Sequence, residues 1–90
     1  MNKNELVEVV SERTGLAKSD SARAVEAVLG AITETLRKGE QVALSGFGTF
    51  VAKTRAARTG RNPRTGEPVA IPASRAPAFK AGKGLKDALN

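Results

Sequence analysis

Apolar residues recur at helical spacing early in the chain and alternate further on. Over residues 3–14, Leu6, Val9 and Val10 share one side of a helical wheel, with Lys3, Glu5, Glu8, Glu12 and Arg13 around the rest. Asn2 precedes this run as an N-cap residue type, and Glu5 three positions on completes a pattern like a capping box. Gly15 is a natural stop. A longer period fills residues 18–38, where Ala22, Val25, Val28 or Leu29, Ile32 and Leu36 form the apolar face. Asp20 near its start and Arg37 and Lys38 near its end suit the helix dipole, and Gly39 ends it. No proline falls before position 63, so nothing kinks either helix.

The period then changes. Residues 41–45 alternate and are short, which predicts a strand containing Leu44. Gly46 and Gly48 bracket Phe47 in a tight turn or bulge, and a second strand starts near Thr49 and runs through Lys53 and Thr54. Phe47 and Phe50 read as core, because a base-stacking platform needs more aromatics than these. Beyond Val51 the apolar residues are mainly alanines, with Val69 and Ile71, and Arg55, Arg58, Arg61 and Arg64 recur every third position. That spacing could mark a basic amphipathic helix. Gly60, Pro63, Gly66 and Pro68 each break or weaken a helix, so a long β-hairpin fits residues 53–76 better. Strand from Val51 to Asn62 would reach roughly 40 Å, further than a small sheet requires. An isolated ribbon of this kind is marginally stable, so it is expected to be mobile when free and to order on a ligand. The chain returns through residues 76–79, with Pro77 on an edge or at a bulge and Phe79 in the core. A short helix from about Lys83 to Leu89 carries Leu85 and Leu89 inward.

Charge sharpens this picture. Residues 1–45 hold six Lys/Arg and seven Asp/Glu, whereas residues 46–90 hold nine and two, so a near-neutral half joins a half of net charge +7. The arm segment alone carries Lys53, Arg55, Arg58, Arg61, Arg64 and Arg75 against one acid, Glu67. Such a density points to a polyanion, and nucleic acid is the foremost one. Lys80, Lys83 and Lys86 repeat every three residues and form a second basic patch. The 18–38 helix is expected to show Ser21, Arg23, Glu26, Thr33, Glu34 and Arg37 on its outer side, a mixed face unlike a major-groove recognition helix. Histidine and cysteine are absent, and no phosphate-loop or metal constellation occurs, which argues against an enzyme and against any cofactor or small-molecule substrate. No signal-peptide pattern or membrane-length apolar run occurs, so a soluble, intracellular protein is expected. Without the arm, 66 residues remain to form a core, few for independent stability; a homodimer would share apolar faces and supply two arms.

Assembled, these residues resemble the bacterial HU/IHF family of histone-like DNA-binding proteins. The resemblance covers essentially the whole chain. Its most specific part is Gly46-Phe47-Gly48-Thr49-Phe50, followed by Arg55, Arg58 and the run from Gly60 through Arg61, Asn62, Pro63, Arg64 and Thr65 to Gly66. The start Met1-Asn2-Lys3 and the stretch from Phe79 to Leu89 agree as well, and the length and final residues are closer to HU than to IHF. The resemblance implies an α+β fold: an intertwined dimer with a helical base, a small antiparallel sheet and a long β-hairpin arm per subunit. It implies one domain over residues 1–90, with 1–45 as the helical dimerisation part and first strand, 46–81 as the sheet with its arm, and 82–90 as the C-terminal helix. The implied dimer core includes Val28, Leu29, Ile32, Leu36, Leu44, Phe47, Phe50 and Phe79. Read alone, Pro63 is a turn proline or a wedge; the resemblance makes it the residue that enters between base pairs. It places Arg55, Arg58, Arg61 and Arg64 against the minor-groove floor and phosphates, and Lys3, Lys80, Lys83 and Lys86 on flanking DNA; Lys53, Asn62 and Arg75 of the same arm are further candidate DNA contacts. The implied role is a nucleoid protein of the cytoplasm that bends, wraps and compacts double-stranded DNA with little sequence preference, as a homodimer or with a paralogue. The alternatives are a sequence-specific IHF-like subunit and a duplex-RNA binder. Two departures stand out: Ala17 lies where a Ser or Thr cap is common, so Ser19 would start the second helix later, and Pro72 interrupts the returning arm strand.

Overall fold

A computed structural model describes all residues, 1–90. The chain forms two compact units, Met1–Glu34 and Thr35–Asn90. Helix α1 spans Lys3–Thr14 and α2 spans Lys18–Arg37. Asn2 caps α1 as its position predicts, with Oδ1 accepting the Glu5 N–H at 2.9 Å. Gly15, at φ +73°, donates its N–H to the Ser11 carbonyl and closes the other end in the left-handed conformation that favours glycine.

Helix α2 starts at Lys18, where its apolar period places it. The Ser21 N–H bonds the Ala17 carbonyl at 2.9 Å, so the helix begins at Lys18 and Ser19 does not delay it. Any residue at position 17 supplies that carbonyl, and Asp20 adds favourable charge in the first turn. At the far end the Gly39 N–H reaches Leu36 O and the Glu40 N–H reaches Thr35 O, the paired bonds of a Schellman motif.

In the first unit Lys3 is paired with Glu26 and Lys18 with Glu8, the latter at 3.7 Å, so α1 and α2 run antiparallel. Leu6, Val10, Ala24, Val25, Val28 and Leu29 line an open apolar groove between them. Val25 is the only buried apolar side chain of the whole chain, and Val28 is 58% exposed. Ser21, expected on the outer side of this helix, is instead fully buried, and its hydroxyl has no hydrogen-bond partner.

The second unit is built on a three-stranded antiparallel sheet of β1 (Val42–Leu44), β2 (Gly48–Arg55) and β5 (Ser74–Ala81), in the order β1-β2-β5. Phe50 pairs with both Val42 and Phe79, which sets the register. The Phe79 ring lies 4.8 Å from that of Phe50 and 5.5 Å from that of Phe47, tilted to each. The ring covers Gly48 so closely that a Cβ there would stand 2.4 Å from Phe79 Cζ, which is why glycine occupies that position. β5 is an edge strand, so Pro77 need not break a ladder. Helix α3 (Lys83–Leu89) follows, held by the Gly82 N–H on Phe47 O. Leu85 is half-buried, but Leu89 is 80% exposed, contrary to its expected inward place, because it ends a seven-residue helix one residue from the chain end.

The arm is not one continuous ribbon. Pairing of β2 with β5 ends at Arg55↔Ser74, and a separate ladder of β3 (Arg58–Arg61) with β4 (Pro68–Ile71) begins at Arg58↔Ile71. Ala56 and Ala57 face Pro72 and Ala73 across the gap, so two residues drop out on each side and the register does not slip. Pro72 has no N–H to donate, and the ladder lapses where it stands.

Two outcomes follow from this architecture. Ser21→Ala removes a buried hydroxyl without a partner and is expected to stabilise the protein by about 1 kcal/mol in denaturant unfolding at fixed protein concentration. Amides of residues 58–71 are expected to exchange with solvent far faster than those of β2 in free protein, and to slow markedly when duplex DNA is added, because β3 and β4 pair only with each other.

Candidate nucleic-acid interface

The tip of the arm is closed by Asn62. Its N–H donates to Glu67 O at 2.9 Å, its carbonyl accepts from Gly66 at 2.7 Å, and its side-chain Oδ1 accepts from Arg64 at 2.9 Å. An asparagine that bonds the backbone two residues on is a characteristic turn device. Gly66 adopts φ +73°, and the Thr65 hydroxyl accepts from the Glu67 N–H at 3.3 Å. Asn62 is thus half-buried and holds the loop together, while Pro63 and Arg64 are exposed at the end of the ribbon. Pro63 can sit there at no loss because it has no N–H to satisfy.

The arm's cations belong almost entirely to the outgoing strand. Lys53 and Arg55 lie on β2, Arg58 and Arg61 on β3, and Arg64 in the tip, whereas β4 is Pro68-Val69-Ala70-Ile71. Side chains alternate faces along a strand, so Arg58 and Arg61, three apart, project to opposite sides of the ribbon. The every-third spacing that resembles a helical stripe in sequence therefore spreads charge over both faces. Gly60 leaves room for Ile71, whose Cδ1 would stand 2.8 Å from a Cβ at position 60. None of Lys53, Arg55, Arg58, Arg61 and Arg64 is paired with a carboxylate, and all are exposed.

The remaining cations divide by setting. Lys80 lies on β5 opposite Thr49, and Lys83 and Lys86 stand one turn apart on α3; all three are exposed and unpaired. Helix α3 is packed hard against the β1–β2 turn, since a Cβ on Gly84 would fall 2.5 Å from the Gly46 carbonyl oxygen. Lys3, on α1, already has Glu26 as its partner. Arg75 differs from the rest of the arm. Its Nη1 donates to the Arg37 carbonyl at 2.8 Å, at the C-terminal end of α2.

Sequence reading missed two structural duties, that of Asn62 in closing the tip and that of Arg75 at the helix end. An Asn directly before Pro in a Gly-bounded turn was a usable signal for the first. Nothing local announces the second, which joins residues 38 positions apart.

Comparison with known proteins agrees with this geometry along the full length. The pattern of the family described as bacterial DNA-binding protein matches residues 1–90. The chain is 60% identical over 89 residues to DNA-binding protein HU of Geobacillus stearothermophilus, covering 99% of each. It is 50% identical over 90 residues to DNA-binding protein HU-beta of Salmonella typhimurium, covering all of both. Among solved structures, the Anabaena HU–DNA cocrystal structure superposes with a TM-score of 0.87 at 44% identity, covering 99% of this chain and 97% of that one. The chain belongs to the bacterial DNA-binding protein family that includes HU.

Proposed function

We propose that the protein is an architectural DNA-binding protein that acts as a homodimer, grips double-stranded DNA through the minor groove with little sequence preference, and bends and compacts it. The observation that carries this reading is the arm: a ribbon whose exposed arginines have no carboxylate partners and whose tip presents Pro63. A strand ribbon lined with guanidinium groups can enter a groove and contact phosphates on either side. The minor-groove edges offer only a degenerate code, and α2 displays a mixed face unlike that of a major-groove recognition helix. The tip proline is rigid and apolar and can enter a base step without burying an unpaired donor. Lys80, Lys83 and Lys86 fit contacts to flanking DNA, and Lys3 joins them only by exchanging Glu26 for phosphate.

Dimerisation follows from the surface the single chain leaves open. It exposes 7265 Å², against about 5,000 Å² for a typical folded monomer of this mass. Val28, Leu29, Leu44, Phe47 and Phe79 are all exposed, and Ile32, Leu36 and Phe50 are only half-buried. A twofold pairing would cover these faces and provide two arms. The relatives named above are HU proteins, and the Anabaena protein was crystallised with DNA. No helix is long and apolar enough to cross a membrane, and a place in the nucleoid suits the proposed partner.

Two measurements test the reading. Pro63→Ala should lower the bend reported by fluorescence energy transfer and reduce the preference for nicked over intact duplex roughly tenfold, with binding to intact duplex little changed. Equal loss on both substrates would remove Pro63 as the wedge. Arg61→Ala removes two cations per dimer, so the slope of log K against log salt should become shallower by about 2, uniformly across duplex sequences.

A further inference from the structure

We propose that Arg75 is a positioning residue that fixes the arm's direction at its root by clamping β5 to the C-terminal end of α2, and that it does not serve as a phosphate contact. This rests on the DNA-bending reading above. Three observations converge on it. First, the Schellman bonds at the end of α2 use the carbonyls of Thr35 and Leu36, and the next carbonyl, that of Arg37, receives Arg75 Nη1 at 2.8 Å. A helix C-terminus carries partial negative charge, which makes a guanidinium a strong donor there. Second, the guanidinium packs beside the turn that ends the helix: Gly39 is in the left-handed conformation at φ +82°, and its Cβ direction points toward Nη1 at an ordinary contact distance of 4.0 Å. Third, the clamp sits at the last stretch of regular sheet. Arg75 pairs with Thr54, the ladder ends one residue later at Arg55↔Ser74, and the unpaired step at Ala56, Ala57, Pro72 and Ala73 follows.

The mechanical consequence is specific. Beyond the unpaired step the arm holds only its own ladder, so its course relative to the sheet is set by the last residues that are tied down. The other arm cations have no intramolecular partner and are available to phosphate; Arg75 is held to a backbone carbonyl. A bent complex requires the wedge to arrive at a defined place on the duplex, and loosening the root spreads that placement.

The test separates the two roles by separate readouts. Arg75→Ala and Arg75→Lys are compared with the parent protein on a nicked duplex labelled at both ends. Bend is read by fluorescence energy transfer at saturating protein, and affinity is read over a salt series; circular dichroism first establishes that each variant is folded. The clamp predicts that Arg75→Ala gives a smaller, more broadly distributed bend with the salt slope unchanged. It also predicts that Arg75→Lys, which keeps a cationic donor of similar reach, restores the bend. A salt slope shallower by about 2 with the bend intact would make Arg75 a phosphate contact and overturn the clamp. A bend lost in Arg75→Lys as fully as in Arg75→Ala would also overturn it, because a donor to Arg37 O would then not suffice. Absence of bending by the parent protein would instead refute the architectural reading itself.

Discussion

Apolar surface that a single chain cannot cover is the constraint on which the rest of this structure depends. Residues 53–76 go into the arm and leave 66 with which to exclude water, and those residues bury one apolar side chain, Val25. The aliphatic face of α2 and the aromatic cluster of Phe47, Phe50 and Phe79 are well formed but open. In a self-sufficient domain this would be a defect. In the subunit of the proposed dimer it would be a means of coupling, because pairing that covers these faces also brings two arms together.

Charge is distributed to the same end. In the helical unit cations meet acids: Lys3 with Glu26, Lys18 with Glu8, Arg23 near Asp20. On the arm Lys53, Arg55, Arg58, Arg61 and Arg64 meet no acid, and Arg75 meets only the Arg37 carbonyl. Exposed ion pairs contribute little to stability, so the pairing in the helices matters chiefly for what it withholds, a diffuse positive field over the body that would bind DNA anywhere. The unneutralised arginines keep a thin ribbon from finding a compact state of its own and reserve its attraction for an external polyanion.

Much of this was legible from residue types. Asn2, Gly15 and Gly39 mark helix ends because each solves a problem of unsatisfied backbone groups, and the structure places them at those ends. Gly60, Pro63, Gly66 and Pro68 exclude a helix and leave a hairpin, which the arm is. What could not be read has a common cause: it depends on partners far along the chain. Counting charge treats Arg75 like Arg55, although a carbonyl 38 residues away gives it a different duty. The start of α2 at Lys18 was legible from its period, but a Ser19 cap was not needed, because Ala17 contributes through a backbone carbonyl, to which side-chain rules are blind. The lapse in the arm ladder was foreshadowed by Pro72, but its form, two residues lost on each side with register kept, needed the pairing itself. The fate of Leu89 turns on the short helix that holds it.

The arm then shows a gradient of stiffness that matches its work. At the tip, Asn62 commits its N–H, its carbonyl and its side-chain oxygen to closing the loop, and the proline ring adds a fixed φ beside it. For the wedge role proposed for Pro63 rigidity would belong there, because a wedge that deformed on contact would return the energy needed to unstack a base step to its own backbone. In the stem, four residues around Pro72 forgo ladder pairing, and nothing else replaces those bonds across the ribbon. A groove whose width and path vary with sequence demands compliance at that point. Because the register is the same on both sides of the lapse, flexing there would leave the alternation of Arg58 and Arg61 intact, so that in the proposed complex the two faces of the arm would reach the groove with their charges in the same order.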